Sequence, residues 1–395
     1  MAADAGAAVA ATAQAPETAR TVGRGFLFIL TAKVYFLLTG FAVQFGLPRL
    51  LVRSARAMAA AGAAGLQGIE SLATALYGEY GVAVRTVSWI NNTMVQGTIQ
   101  AVSRHVAEDE RRAEAVRAAA LRVQAFVGLT LALLYFALAD LLATFSGNAA
   151  RSGYFRVTAI IILAYALYAV LIGYLNGRKL FSAQAAFDIG FSTIKTCSIL
   201  GLAFLGYGLH AILGAFSASA VIICLVAMLL VGLRNHTAET FPWRRLLGSM
   251  AAIVAYFILF NALLAADYWV LAGLAGRVAG ASAAQASELI GIYNGVLNVA
   301  LLPYQGVLAV AFVVFPLISR STFDQDQETT RRYIESTLRY ALVFAGGIAV
   351  AIAAMGEGLL GLLKADFVAG AAALRVYAAG EVFFALFAIA NTMII

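Results

Sequence analysis

The chain repeats one pattern of charged residues, SRHVAEDERR at 103–112 and SRSTFDQDQETTRR at 319–332. Both copies begin with Ser-Arg, continue through an acidic run and end in Arg-Arg. Each lies between two long apolar segments, and a Gly and a Tyr stand near the start of the earlier segment, as Tyr80-Gly81 and as Gly291-Ile292-Tyr293. The repeat indicates a chain built from two similar halves, an arrangement that often places a binding site between the halves.

The composition is that of a polytopic membrane protein. Hydrophobic residues make up 62% of the chain and charged residues 12%, and the mean hydropathy is +0.87. A soluble domain of this length needs more charge at its surface. Cys197 and Cys224 lie inside apolar stretches and the histidines lack paired ligand spacing, so we expect no disulfide framework, no metal site and no cofactor. The net charge of +7 is split among loops, which favours contact with membrane lipid over nucleic acid.

A membrane span needs about 20 mostly apolar residues, and this criterion predicts about ten helices. They are expected at 24–48, 80–103, 120–145, 155–177, 181–206, 208–233, 246–274, 289–318, 335–363 and 368–395. The expected fold is an all-α polytopic membrane protein with two pseudo-symmetric helical lobes around a central cavity. We divide it into a disordered cytoplasmic tail at 1–22, a first lobe at 23–235 and a second lobe at 236–395. The second lobe is expected to be incomplete, with four helices against six.

The distribution of basic residues predicts the orientation. With the N-terminus inside, the cytoplasmic loops hold about twice as many Lys and Arg residues as the external ones, as the positive-inside rule requires. Both copies of the repeated loop are then cytoplasmic. The only long external loop, near 50–78, is rich in small residues and is expected to form an amphipathic surface helix.

Polar side chains inside predicted spans are the first candidates for function, because they are costly in lipid. The helix at 80–103 places its polar residues within a stripe about 120° wide. The stripe consists of Arg85, Ser88, Asn92, Gln96, Gln100 and Ser103. Such a stripe either lines water or forms hydrogen bonds that hold the helices together. We favour the first reading because the stripe is continuous and is headed by an arginine.

Other predicted spans add to this set. The helix at 181–206 has Gln184, Asp188, Ser192 and Lys195 on one face, and the helix at 24–48 has Lys33 and Gln44. The helix at 289–318 contributes Asn294, Asn298 and Gln305, and Pro303 and Pro316 predict a kink or break in it. Asp188 and Lys195 could instead form a loose ion pair, and Lys33 could extend to the interface. Glu381 ranks lower as a candidate, because no polar face accompanies it.

Together these residues predict a mainly cationic cavity between the lobes, with Lys33, Arg85 and Lys195 partly balanced by Asp188. Arg and Lys bind phosphate well, so an anionic, phosphate-bearing amphiphile suits such a cavity better than an organic cation does. Asp267 and Asp188 are candidates to bind a coupling H⁺ or Na⁺, although Asp267 could simply be hydrated at the interface. No catalytic residue is assigned.

The chain resembles the polysaccharide-transporter and oligosaccharide flippase branch of the multidrug/oligosaccharidyl-lipid/polysaccharide (MOP) exporter superfamily. The resemblance rests on Tyr80-Gly81 through Ser103-Arg104, Leu175-Asn176-Gly177-Arg178 leading to Phe181 and Gln184, Asp267 with Gly291-Ile292-Tyr293, and Val314-Phe315-Pro316-Leu317-Ile318-Ser319. It implies two six-helix lobes in a V and alternating access. It also implies export of a polyprenyl-pyrophosphate-linked oligosaccharide across the bacterial inner membrane, with polysaccharide-assembly proteins as partners.

Three alternatives stay open at this stage. A multidrug or cation antiporter of the same superfamily would depend on acidic residues in the cavity, whereas cations are in excess here. A membrane glycan polymerase or ligase would need a sizeable external loop with catalytic Arg, His or acidic residues. A relative that binds lipid without transporting it would keep the fold.

Overall fold

The computed structural model describes residues 2–62, 68–233, 239–277, 282–305, 307 and 327–394. Side chains are described for most positions between Leu27 and Ala390. Within these ranges the chain is helical and contains no strand, which confirms the all-α fold. The second copy of the repeated loop at its Ser319-Arg320 start, Pro316 and the 314–319 run lie outside the described residues.

The α-helices are numbered here in chain order. They are α1 Ala2–Ala60, α2 Ile69–Glu108, α3 Ala113–Ala137, α4 Ala139–Phe145, α5 Ser152–Gly177, α6 Phe181–Phe204, α7 Leu209–Val231, α8 Trp243–Leu274, α9 Ala283–Ala300, α10 Gln327–Leu363 and α11 Ala371–Ile394. Short 3₁₀ turns at Glu110–Arg112, Ala149–Arg151, Ala275–Arg277 and Ala365–Gly370 join several of them.

Eight helical segments in the described part of the chain are long and apolar enough to cross a membrane. They correspond to eight of the ten predicted spans. The two exceptions are α2 and α9, whose described residues are helical but too polar to meet the criterion; the span predicted at 289–318 lies partly outside the described residues. Both lie where the lobes meet, so protein rather than lipid surrounds much of their surface, and polar side chains are tolerated there.

The prediction of a long loop at 50–78 is wrong. Helix α1 continues to Ala60, and α2 already begins at Ile69. The ends of the two helices, at 50–60 and 69–78, are rich in Ala and Leu, which favour a helix, so both helices extend beyond the spans predicted from hydropathy. Helix α1 begins at Ala2, and the division of the chain at residues 22 and 235 stays a prediction.

A break also interrupts the segment predicted as one helix from residue 289. Helix α9 ends at Ala300, Leu301 forms a turn, and residues 302–305 are helical again. Pro303 has no backbone N–H to donate to the carbonyl four residues earlier, which accounts for the break.

The helices pack as two groups that meet along α2. Helices α1, α2, α3, α5, α6 and α7 contact one another, and α9, α10 and α11 form a second group. Helix α2 contacts α9 and α8 across the boundary between them. One end of the bundle holds the end of α1 at Ala60 and the start of α2 at Ile69, and we call it the first-loop end. The other end holds residues 109–112, and we call it the opposite end.

Candidate functional site

Helices α2 and α9 approach each other most closely near the first-loop end, at two glycines. A Cβ added at Gly78 would lie 2.7 Å from the backbone N of Gly291, and one at Gly291 would lie 2.9 Å from the carbonyl carbon of Thr74. Real Cβ atoms essentially never come within 3.0 Å of such atoms, so the contact requires glycine on both helices. This contact, which we call the α2–α9 seam, closes the first-loop end between the two groups of helices.

Arg85 lies two turns further along α2 and reaches across the seam. Its Nε and Nη2 donate to Oδ1 of Asn294 at 3.2 and 3.1 Å. Its guanidinium also lies over the ring of Tyr268, 4.7 Å from the centroid. Both partners are uncharged, and in the described part of the chain no carboxylate forms an ion pair with Arg85. The positive charge is therefore not neutralised, although the group is half-buried.

Asp267 lies on the second-group side of this arginine and accepts two hydrogen bonds. The hydroxyls of Tyr293 and Tyr377 donate to its Oδ2 at 2.6 and 3.0 Å. The sequence prediction left open whether Asp267 is simply hydrated at the interface, and the structure holds it between two tyrosines. Glu381 follows Tyr377 by one turn of α11, is only 5% exposed, and its Oε2 lacks a hydrogen-bond partner among the described residues.

Asn298 lies one turn after Asn294 on the same face of α9 and also crosses the seam. Its amide donates to the hydroxyl of Tyr77, whose ring stacks on Phe367 at 5.8 Å. Both asparagines are buried. Arg85 thus contacts Asn294, and Asn298 contacts Tyr77, across the α2–α9 seam. That these residues line a substrate cavity stays a prediction.

The polar stripe of α2 becomes more exposed toward the opposite end. Arg85 and Ser88 are half-buried, whereas Asn92, Gln96 and Gln100 are exposed. The stripe therefore runs from the closed α2–α9 seam into an accessible surface. A polar surface of this kind suits a hydrated groove that is open toward the opposite end.

The residues predicted on α1 and α6 form a separate group. Lys33 forms an ion pair with Asp188 at 3.2 Å, and the Ser192 hydroxyl bonds to that of Thr39. Asp188 thus pairs with Lys33 and not with Lys195. In the described chain no hydrogen bond or ion pair joins this group to Arg85, and a cavity shared by the predicted cations stays a prediction.

Lys195 is surrounded by aromatic rings instead of acids. Its Nζ lies 4.7, 5.4 and 5.8 Å from the ring centroids of Phe36, Phe191 and Phe216. Such cation–π contacts stabilise a charge away from water. Lys195 therefore acts within the packing of α1, α6 and α7, and a direct role in the cavity stays a prediction.

The remaining predicted residues are glutamines with unfilled hydrogen-bonding capacity. In the described structure, the buried Oε1 atoms of Gln44, Gln184 and Gln305 have no partner. Gln44 contributes its backbone carbonyl, which accepts from the Tyr77 hydroxyl at 3.4 Å. These amides are available for water or for a ligand.

Sequence reasoning missed a buried ion pair that lies beside the seam. Glu79 pairs with Arg151 at 2.7 Å and also accepts from Ser287 and from Asn148, at 3.1 Å for the latter. Arg151 is 2% exposed. Glu79 directly precedes Tyr80-Gly81. An acidic residue next to that motif was the feature of the sequence that could have indicated this pair. The network joins α2, α9 and the turn before α5 at the first-loop end.

At the opposite end α2 is tied to the start of α8. Glu108 contacts His105 at 2.9 Å and Arg245 at 3.2 Å, and the other nitrogen of His105 contacts Ser249 at 3.0 Å. The hydrogen bond with His105, followed by that from Arg104 and the positive charge of Arg245, lowers the pKa of Glu108 below its ordinary value. Elsewhere too, no three His, Cys, Asp or Glu side chains of the described chain are grouped as metal ligands.

Comparison with known proteins identifies a family and a fold. The family described as polysaccharide biosynthesis protein matches residues 72–366. No curated protein matches the chain. Among solved structures, an inward-facing multidrug resistance MATE family transporter of the MOP superfamily shares 14% identity, with a TM-score of 0.63 over 91% of this chain and 86% of that one.

Two further structures show the same fold. A MOP superfamily transporter from Pyrococcus furiosus, whose binding pocket is described as having reversed polarity, gives a TM-score of 0.60 at 14% identity, over 95% of this chain and 84% of that one. An outward-facing MATE family transporter gives 0.55 at 16% identity, over 89% and 83%. At these identities the likeness shows the fold alone.

Proposed function

The chain belongs to the polysaccharide biosynthesis protein family, and from this premise we propose that it flips a polyprenyl-pyrophosphate-linked oligosaccharide across the bacterial inner membrane by alternating access. It is a multi-pass membrane protein with the fold of MOP-superfamily transporters. The family supports a role in polysaccharide production and the fold supports membrane transport. The lipid-linked substrate, the inner membrane and contacts with polysaccharide-assembly proteins belong to the proposal.

The observation that carries the proposal is the environment of Arg85. A half-buried guanidinium that is held by an amide oxygen and an aromatic ring, without an ion-paired carboxylate, keeps its charge for an anion. Guanidinium groups bind phosphate oxygens in pairs through their planar N–H donors. A pyrophosphate would displace the contact with Asn294 and leave the asparagine amide as a further donor.

The accessible stripe of α2 provides a place for the glycan. Asn92, Gln96 and Gln100 offer both donors and acceptors, as sugar hydroxyls require. The polyprenyl chain would remain in lipid while the headgroup occupies the groove. No covalent step is needed.

The closed seam defines the state in which the substrate would load. With the predicted cytoplasmic N-terminus, the first-loop end faces the periplasm and the opposite end faces the cytoplasm. The structure would then be closed to the periplasm and open to the side on which lipid-linked glycans are assembled. Separation of α2 and α9 would release the headgroup outside.

Coupling to a cation gradient is part of the proposal, with Asp267 and Asp188 as candidates. Asp267 is the stronger of the two because Glu381 lies one turn from Tyr377, so two carboxyl groups share one small region. Asp188 is already paired with Lys33. Transport by Asp267→Asn in vesicles should become insensitive to the gradient that drives the wild type. Unchanged gradient dependence would remove Asp267 from this role.

The test of the main proposal is removal of the arginine charge. We expect Arg85→Gln to reduce glycan export by about 10²-fold, since loss of a buried bidentate phosphate contact costs about 3 kcal/mol. Arg85→Lys should retain more glycan export than Arg85→Gln, because lysine keeps the positive charge. Arg122→Gln is the matched control, because among the described residues this exposed arginine bonds only to the carbonyl of Ala118 on its own helix. Normal export by well-expressed Arg85→Gln would refute the proposal.

A multidrug or cation antiporter is the second candidate, favoured by the buried carboxyl group of Glu381 near Asp267. The two functions differ in the charge of the ligand that they require. An antiporter would bind lipophilic cations, and its Asp267→Asn variant would no longer bind them. The flippase would bind polyprenyl pyrophosphate, and its Arg85→Gln variant would no longer bind it. Binding of both probes to each purified variant separates the candidates.

A further inference from the structure

A second basic site lies at the first-loop end, outside the α2–α9 seam. A cavity of about 440 Å³ opens there between α1 and the end of α10. Its lining includes Arg49, Arg53, Arg56, Glu70, Gly361 and Lys364. Because α1 and α10 belong to different groups of helices, the cavity spans the boundary between them.

Three arginines of α1 give this cavity its charge. Arg49, Arg53 and Arg56 are spaced by four and three residues, which places them on one face of the helix. All three are exposed, and none forms an ion pair with a carboxylate in the described structure. Arg49 Nε donates to the carbonyl of Leu363 and Arg53 Nη1 to that of Phe204, each at 3.1 Å. Carbonyl partners orient these groups and leave their charge free.

The fourth basic residue of the cavity is already neutralised. Lys364 is 8% exposed and forms ion pairs with Glu70 at 3.2 Å and with Asp366 at 2.7 Å. It therefore fixes the end of α10 against α2 and has no charge to spare. The three arginines therefore carry the unpaired positive charge of the site, and an anion from outside the chain can bind to them.

The surroundings of Arg53 indicate which kind of anion. Its guanidinium lies over the ring of Phe204, 4.0 Å from the centroid, and Leu205 and Tyr207 follow at the same helix end. All three apolar side chains are exposed, by 52%, 69% and 53%. A cationic cavity bordered by exposed aromatic and aliphatic groups at a helix end suits the interface of a bilayer, where aromatic residues collect and lipid phosphates lie.

We propose that this cavity binds the phosphate of an anionic phospholipid, with the glycerol and upper acyl chains against Phe204 and Leu205. A phosphate between Arg53 and Arg56 would add to the contact that Arg49 makes with Leu363 across the boundary. The bound lipid would stabilise the closed first-loop end. The site is separate from the groove proposed for the transported glycan, and its occupant is a resident membrane lipid.

The experiment measures binding of phosphatidylglycerol to the purified full chain by native mass spectrometry, with phosphatidylcholine as the neutral comparison. Because each basic residue near an anionic lipid contributes about 1 kcal/mol, we expect Arg53→Gln/Arg56→Gln to bind phosphatidylglycerol about 10-fold or more weakly. This variant keeps Arg49 and its bond to Leu363, and it removes the bond of Arg53 to the carbonyl of Phe204. The control Arg111→Gln/Arg122→Gln removes the same charge at the opposite end.

Unchanged binding in the control and weak binding of phosphatidylcholine support the site. Equal binding by the double variant and the wild type would overturn it, as would an equal loss in the control. Two competitors identify the source of the phosphate. Displacement of phosphatidylglycerol by excess inorganic phosphate would overturn the lipid assignment in favour of a free anion. Displacement by equimolar polyprenyl phosphate would overturn it in favour of the transported lipid.

Discussion

The glycine contact between α2 and α9 predicts the effect of adding a single methyl group. In Gly291→Ala the new Cβ would lie 2.9 Å from the carbonyl carbon of Thr74 and closer still to its oxygen. These are backbone atoms of a helix, so they cannot rotate away as a side chain can. Ordinary contact begins at 3.4 Å, and the helices must therefore separate by at least about 0.5 Å.

The separation costs free energy only in the state in which the first-loop end is closed. Overpacking of this kind typically costs about 1–3 kcal/mol, which corresponds to about a 5- to 150-fold change in the ratio of closed to open molecules. The alanine itself favours a helix more than glycine does, so the helices should remain intact. We expect Gly291→Ala to shift the protein toward the open first-loop end without loss of folding.

Spin labels at Ile69 and Ala283, in a background without Cys197 and Cys224, would report this shift as a longer distance. Both labelled positions are at the starts of the two helices. Gly346→Ala is the matched control, because a Cβ there meets nothing within 4 Å. An unchanged distance distribution in Gly291→Ala, or the same change in Gly346→Ala, would refute the reasoning.

Two further predictions concern ion pairs at the two ends of the bundle. Glu79→Gln leaves the buried Arg151 without its counter-charge, and we expect it to destabilise the protein by about 3–5 kcal/mol, measured as a lower melting temperature in detergent. The second concerns Glu108, whose pKa is lowered mainly by its hydrogen bond with His105 and also by Arg245. Because the folded pKa lies below the unfolded one, this stabilisation is present above the ordinary value of 4.5 and is lost as the pH falls through the folded pKa. The melting temperature of the wild type should therefore converge on that of Glu108→Gln in acid.

An exposed ion pair is the reference for the Glu79 prediction. Asp140 pairs with Arg156 at the surface, so Asp140→Asn should change stability by less than about 1 kcal/mol. If Glu79→Gln had the same melting temperature as Asp140→Asn, Arg151 would have to reach water or another partner. A constant gap between wild type and Glu108→Gln down to acid pH would show that Glu108 does not titrate in the way described.

The helices that face lipid were well predicted from the sequence, because each one is marked by a local run of apolar residues. Eight such segments occur where the hydropathy placed them. The limits of α1 and α2 were missed, since helix formers such as Ala continue a helix beyond its apolar core and leave no boundary in the hydropathy. The expectation of an incomplete second lobe and the division at residue 235 stay predictions.

The polar residues were predicted less evenly, for a physical reason. Arg85 and Asn294 each belong to a periodic polar stripe on its own helix, and the two side chains contact each other. Asn298 contacts Tyr77, which lies outside the predicted stripe. Lys33 and Asp188 were found as candidates, but their pairing depends on how α1 packs on α6. Contacts such as that of Glu79 join residues far apart in the chain and leave no local pattern.

The polarity of α2 has a consequence for how the protein is made. Its residues Asn92 and Gln96 make it a poor candidate for entering lipid as an isolated segment, and it does not meet the criterion of length and apolar character that eight other segments meet. Its neighbours α5, α8 and α9 are synthesised later. We therefore expect α2 to enter the bilayer only after these partners have been synthesised. Insertion of this chain depends on cooperation between helices, and an early truncation should leave α2 outside the bilayer.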